Sequence, residues 1–255
     1  SMATRLYFRS SAFSEAGTYP SSEQSAETAE WEATGATALK KWLTAAGAAQ
    51  TSQAGASDNV TSAQDALLGM FATDLLSGNQ TVGGGTMIFN TAEAESNAAM
   101  NFWINSLNVY VWRPSTGAKI GTVRDAAGAS LGGTEPTSAS SEQVTHITGI
   151  TSSAVSALDG DVVVCEVWSR HTQSMTVSYT GTFYFNGTTE NTTENAVVSN
   201  HASFLELTET LAFKPASDLM FRGAVPVLPV FEPSRVVAYC KKLWRVPELT
   251  WPAPP

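Results

Sequence analysis

Apolar and polar residues alternate with a period of two along much of this chain. In "TVSYTGTFYF" (176–185) Val177, Tyr179, Phe183 and Phe185 share one side, and Thr176, Ser178, Thr180 and Thr182 the other. In "FLELTETLAF" (204–213) Leu205, Leu207, Leu211 and Phe213 oppose Phe204, Glu206, Thr208 and Thr210. Successive side chains of an extended strand point to opposite faces, so this pattern predicts half-buried antiparallel strands. "NFWINSLNVYVWR" (101–113) and "DVVVCEVWSR" (161–170) are apolar on both faces for most of their length, which predicts central strands. Weaker patterns predict strands at 4–10, 67–76, 85–90, 119–125 and 142–150.

Turn residues separate these runs, in "PSTG" (114–117), "SLGGTEP" (130–136), "LDGD" (158–161) and "FNGT" (185–188). The stretch "NVYVWRPSTGAKIG" (108–121) reads first as a hairpin. Pro114 fixes φ at the turn entry and Gly117 relieves it at the exit. Any binding role for Arg113 or Lys119 is an addition to that hairpin. "TALKKWLTAAGAA" (37–49) fits a short amphipathic helix and a strand equally well. Many short strands with regular turns predict an all-β fold, an antiparallel β-sandwich of jelly-roll type, over residues 1–213.

Residues 214–255 follow another pattern. They hold eight of the eleven prolines, six basic residues and three acidic ones, a net +3 that leaves −12 for residues 1–213. "VPVLPVFEPS" is too apolar for a free linker and too broken by proline for a central strand. This is a proline-rich basic arm expected to lie on an acidic body, its own or that of a neighbouring subunit.

Composition narrows the function classes. The 255 residues are 43% hydrophobic, enough for a substantial core, but only 15% charged, with a net charge of −9. A body so acidic repels a nucleic-acid backbone, which argues against that partner. No apolar run reaches the length of a membrane span, and the start "SMATRLYF" lacks the pattern of a signal peptide. Cys165 sits in an apolar run and reads as a buried small hydrophobe, while the sequence leaves its pairing with Cys240 open.

The chain carries no catalytic motif. His146, His171 and His201 lack metal-ligand spacing, no nucleophile elbow or phosphate loop is present, and no metal or cofactor is expected. Glu166 and Glu206 lie mid-strand, where a glycosidase on a sandwich scaffold could place its two carboxylates. Glu166 shares its face with Val162, Val164 and Trp168, however, which favours a structural role. Asp159 and Asp161 of "LDGDV" could offer oxygens to calcium, but such a turn is ordinarily only a turn. Among the seven tryptophans, Trp103, Trp112 and Trp168 read as core, and Trp42, Trp244 and Trp251 as the better candidates for exposed sugar-stacking surfaces.

"NVYVWRPSTGAKIGTVRD", "LDGDVVVCEVW" and "GTFYFNGTTENTTENAVVSNHASFLELTETLAF", in that order and spacing, resemble a group of virion structural proteins of tailed bacteriophages. The N-terminal "ATRLYFRSSAFSEAGTYPSSEQS" resembles their start, so the likeness runs from Ala3 to Phe213. The resemblance implies a non-enzymatic β-sandwich protein on a phage particle: a head decoration, a head or tail appendage, or part of the adsorption apparatus. It also implies synthesis in the host cytoplasm without a signal peptide, and partners among other virion proteins, including further copies of this chain. The alternatives are a carbohydrate- or host-receptor-binding module and, third, a glycan-active enzyme on a sandwich scaffold. An arm that joins subunits predicts that the full chain is an oligomer and a chain ending at Phe213 a monomer, by light scattering across a salt series. Two monomers at every salt concentration would contradict intersubunit docking of the arm.

Overall fold

The computed structural model describes residues 3–21, 31–32, 37–57, 64–125, 130–171 and 179–215. The chain falls into two units, Ser1–Lys214 and Pro215–Pro255. Nearly all of the second, with Cys240, Trp244 and Trp251, lies outside the described residues.

The described residues contain no helix. In chain order the strands are β1 (Thr4–Ala12), β2 (Trp31–Glu32), β3 (Leu39–Leu43), β4 (Thr51–Ser57), β5 (Gln64–Thr73), β6 (Gln80–Val82) and β7 (Thr86–Glu95). They continue with β8 (Phe102–Arg113), β9 (Ala118–Arg124), β10 (Gln143–Thr151), β11 (Val155–Ala157), β12 (Val162–His171), β13 (Tyr179–Phe185) and β14 (Phe204–Leu207). Twelve strands form one sheet in the order β2-β4-β13-β7-β14-β1-β3-β5-β12-β8-β9, with β10 also paired to β7, and β11 pairs β6 separately. Every pairing is antiparallel except β3 with β5, which is parallel.

The sheet closes over its own core as a β-sandwich. Phe71 of β5 meets Phe183 and Phe185 of β13 edge-on, although several strands separate them along the sheet. Gly181 of β13 lies so close to β8 that a Cβ there would stand 2.1 Å from the Phe102 ring. Layer one holds β4, β13, β7, β10 and β14; layer two holds β3, β5, β12, β8 and β9. The two layers are continuous through β1, whereas a jelly roll is built from two sheets.

Phe8 of β1 is the hub of the core. It stacks on Trp42 at 5.5 Å between ring centroids and meets Phe71, Phe183 and Phe89 edge-on at 4.8, 5.7 and 6.1 Å. The "LKKWL" segment is therefore a strand rather than a helix, and it turns Trp42 inward. Trp42 is fully buried and donates its indole N–H to the Leu6 carbonyl at 2.8 Å. This corrects the expectation of an exposed sugar-stacking surface at Trp42: in "LKKWL" the lysines mask a tryptophan that lies on the inward face.

Strands β8 and β12 are buried on both faces, as their continuous apolar runs predict. Val109, Val111, Val163 and Cys165 face the central core, and Tyr110, Trp112, Val162 and Val164 a second apolar cluster on the opposite face. Cys165 is a buried free thiol, its pKa pushed well up by burial and the neighbouring Glu166. Strand β4, "TSQAGAS", carries no large apolar residue, and its full-length pairing with β13 holds it in place.

Phe8→Ala removes the ring that four aromatics share and is expected to cost about 3–5 kcal/mol of unfolding free energy in a guanidinium titration. A loss below about 1 kcal/mol would show that the core does not depend on this hub.

Candidate functional site

The sites suggested by the sequence resolve mainly into structural contacts. Arg113 places Nε and Nη2 on the two carboxylate oxygens of buried Asp161 at 2.8 and 2.9 Å. Asp161 also accepts the Leu158 N–H at 2.8 Å, so this forked pair ties the 114–117 turn to the 158–161 turn. Residues before β2 cover the hairpin tip: Thr18 donates its N–H to the Pro114 carbonyl at 3.0 Å, and Trp112 donates its indole N–H to the Thr18 carbonyl at 2.7 Å. Lys119 holds its ammonium 5.9 Å from the Tyr110 ring centroid, a contact within the hairpin. The stretch 108–121 is thus a well-anchored hairpin. Asp159 accepts bonds from the Gly78 N–H and Lys214 Nζ, so both aspartates of "LDGD" face cations or donors of the protein itself. No cluster among the described residues has three or more metal-ligating side chains.

Glu166 and Glu206 do not form a pair, since three strands separate β12 from β14 in the sheet. Buried Glu166 accepts bonds from Tyr110 Oη, Trp168 Nε1 and Asn108 Nδ2 at 3.1, 3.1 and 3.3 Å. Glu206 is gripped by Arg5 through Nε and Nη2 at 2.8 and 2.6 Å. His146 and His201 have structural partners too. Asn90 bridges His146 Nδ1 and His201 Nε2, each at 3.1 Å, and burial pushes His201 down to about 4.

The open feature of the fold lies elsewhere, at the N-terminal half of β8. One edge of β8 pairs with β12 along its whole length, but β9 covers the other edge only from Val109 onward. Two buried carboxylates finish the uncovered edge. Strand β7 ends just before β8 begins, and its last inward residues, Glu93 and Glu95, reach this edge. Phe102 donates its N–H to Glu95 Oε2 at 3.1 Å, and Ile104 donates to Glu93 Oε2 at 2.7 Å. The other oxygen of Glu93 accepts the Thr145 hydroxyl. Asn105 is the extra residue of a bulge opposite Trp168 and Ser169, and its carbonyl accepts the Leu131 N–H at 2.7 Å. Acceptors thus satisfy buried strand N–H groups that no neighbouring strand reaches.

Both carboxyls are forced toward neutrality. Burial raises Glu93 to about 7, against the bonds from Thr145 and Ile104, with Glu194 and Glu95 adding repulsion. Burial also raises Glu95 to about 7, and the carboxyl of Glu135, with which it shares a hydrogen bond, adds to the rise. Glu95 Oε1 is buried and, that shared proton apart, meets no donor among the described residues.

A shallow groove of about 460 Å³ opens above this edge, lined by Asn101, Trp103, Gly133, Thr134, Glu135 and Thr137. Trp103, on the opposite face of β8 from Phe102 and Ile104, is half-buried and anchors its indole N–H on Asn105 Oδ1 at 3.3 Å. Gly133 keeps the groove open beside it. A Cβ there would stand 3.1 Å from the Ile104 carbonyl oxygen and 3.7 Å from Trp103 Cδ1. The far wall is held by Ser140, which donates its N–H to the Glu95 carbonyl at 2.6 Å, and by Gln143, whose Oε1 accepts the Ser138 N–H at 3.0 Å.

Sequence reasoning placed Trp103 in the core and did not single out Glu93, Glu95 or Glu135. A signal was present: in "TMIFNTAEAE" the inward positions Met87 and Phe89 continue at the same period into Thr91, Glu93 and Glu95. Two carboxylates on the core side of a strand mark a place where charge has structural work to do.

No protein-family profile matches the chain, and no curated protein does. Among solved structures the chain is similar to a CocE/NonD family hydrolase from Staphylococcus aureus, with 10% identity and a TM-score of 0.43, over 83% of this chain and 36% of that one. It is also similar to the structure of infectious bursal disease virus, Gx strain, with 13% identity and a TM-score of 0.19, over 77% of this chain and 46% of that one. The chain thus spans less than half the length of either, and at these levels neither likeness speaks to its activity.

The buried carboxyls make stability depend on pH. Glu93 rises from an ordinary 4.5 to about 7, so the folded state binds its proton more tightly than the unfolded state does. Its contribution is complete below the lower value and is lost as pH rises through the upper one, on the order of 2–3 kcal/mol in all. His201 acts oppositely: its folded value falls from 6.5 to about 4, so its contribution holds above 6.5 and is lost as pH falls through 4. Comparison with Glu93→Gln isolates the carboxyl, since the amide resembles the protonated acid and does not titrate. Thermal melts between about pH 5 and pH 8 should show a shallower decline for the variant than for the parent. Parallel profiles would contradict a titrating Glu93.

Proposed function

We propose that the protein is a non-enzymatic β-sandwich component of a phage particle, and that its working surface is the saccharide-binding groove at Trp103. The observation that carries the binding part is the placement of Trp103. A partly exposed indole stands on a strand of the main sheet, between amide, hydroxyl and carboxyl side chains. Flat apolar rings stack on the C–H faces of sugars, while short polar groups alongside fix the hydroxyls. Placed on a sheet rather than a free loop, the platform is held ready without an ordering cost on binding.

The virion part rests on the resemblance of residues 3–213 to phage structural proteins. A chemically sparse surface, with few charges and many Ser, Thr, Ala and Gly residues, suits a particle exposed to changing surroundings. A host-surface glycan is the partner that joins the two parts. The absence of a catalytic role is supported by Glu166 and Glu206, each held by structural partners with three strands between them.

On a glycan array the protein is expected to retain a defined set of saccharides. Trp103→Ala should weaken that binding by about tenfold or more, in a protein that still melts cooperatively. Binding unaffected by the substitution, or no saccharide retained, would overturn this reading.

A further inference from the structure

Among the described residues the groove is acidic and carries no basic side chain. Its lining includes Glu135 and no Lys or Arg, and Glu95 lies directly behind Glu135. Glu95 is 1% exposed; one of its oxygens holds the Phe102 N–H, and the other, Oε1, meets no donor among the described residues apart from a proton shared with Glu135. A buried carboxylate oxygen without a donor is costly, and a second carboxylate as neighbour raises the cost. Two things relieve it: one proton shared between the carboxyls, or a cation brought from outside. The half-exposed Trp103 beside them supplies the other element of a cation site, since the electron-rich face of an indole attracts ammonium groups.

We propose that the groove selects saccharides bearing a free primary amine, the ammonium seated between Trp103 and the Glu95–Glu135 carboxyl pair. This rests on the saccharide-binding reading and adds the ligand class to it. The ammonium donates hydrogen bonds to the carboxyl pair and takes the place of the shared proton, which leaves to solvent; no covalent bond changes. An N-acetylated sugar has no such charge, and its amide N–H is a weaker donor to a carboxylate. Acidic sugars are repelled by the pair itself.

The setting of the pair agrees with this exchange. The titratable groups against Glu95 are Glu135 from the 130–142 segment and Glu93 two residues back on β7. From β8 it meets the uncharged Phe102 N–H, and opposite it on β13 stands Gly181 between Thr180 and Thr182. No cationic side chain is among the groups acting on it. Glu95 therefore keeps its proton until near neutral pH, and an ammonium must displace it.

Isothermal titration of the full chain with a deacetylated chitin oligosaccharide and with its fully N-acetylated counterpart tests the proposal. The amine form is expected to bind about tenfold more tightly, and Glu135→Gln should remove that difference. Titration in buffers of different ionisation enthalpy should show proton release on binding the amine form at about pH 6, and affinity for it should rise from about pH 5 to pH 7. Trp103→Ala should weaken both ligands. Equal affinity for the two forms with no effect of Glu135→Gln would overturn the amine selectivity and leave the groove reading standing. If neither form binds and no arrayed glycan is retained through Trp103, both fall together.

Discussion

The structure turns on a strand with nothing beside half of its edge. β8 is the longest strand and is buried on both faces, yet β9 covers its second edge only beyond Val109. Free N–H groups at such a depth must find acceptors. Glu93 and Glu95 supply them, because β7 ends just before β8 begins and its last inward residues reach this edge. The carboxylates stand where a further strand would otherwise lie. The same substitution creates the groove, because the 130–142 segment bridges the gap with single contacts to Asn105, Glu95 and Gln143 and lies less closely than a strand would. Trp103 is only partly covered for this reason.

Most of the architecture was legible in the pattern of the chain. Period-two alternation gives β13 and β14, and continuous apolar runs give β8 and β12 with both faces buried. The hairpin at 108–121 follows from Pro114 and Gly117, and Gly117 indeed takes a positive φ of 63°. Strand β4 was invisible because "TSQAGAS" has no apolar period; pairing with β13 makes it a strand, and pairing is not a property of the segment. The parallel pairing of β3 with β5 is likewise a matter of topology rather than of local pattern.

The groove was illegible for a related reason. Trp103 lies in the same apolar stretch as Trp112, and nothing in that stretch tells which of them a covering segment reaches. Trp112 is covered by the chain around Thr18, while Trp103 is flanked by a loop with glycine at the point of contact. Trp42 shows the converse, since its lysine neighbours suggest a surface while Phe8 and Leu6 receive it in the core. The charges of Glu93 and Glu95 were visible but their depth was not, because depth depends on β10 and β8 lying over them. Long-range contacts decide all three cases, and sequence spacing does not encode them.

The account joins one structural need to one chemical consequence: carboxyls buried to finish a strand edge become carboxyls that hold protons near neutral pH and give the groove its character. Site-resolved carboxyl-carbon NMR of the glutamates across a pH titration tests this link most directly. The account predicts that Glu93 and Glu95 each titrate at about 7. Titration of both near the ordinary glutamate value of 4.5 would contradict it, because the carboxyls would then be solvated and the edge of β8 held by something else.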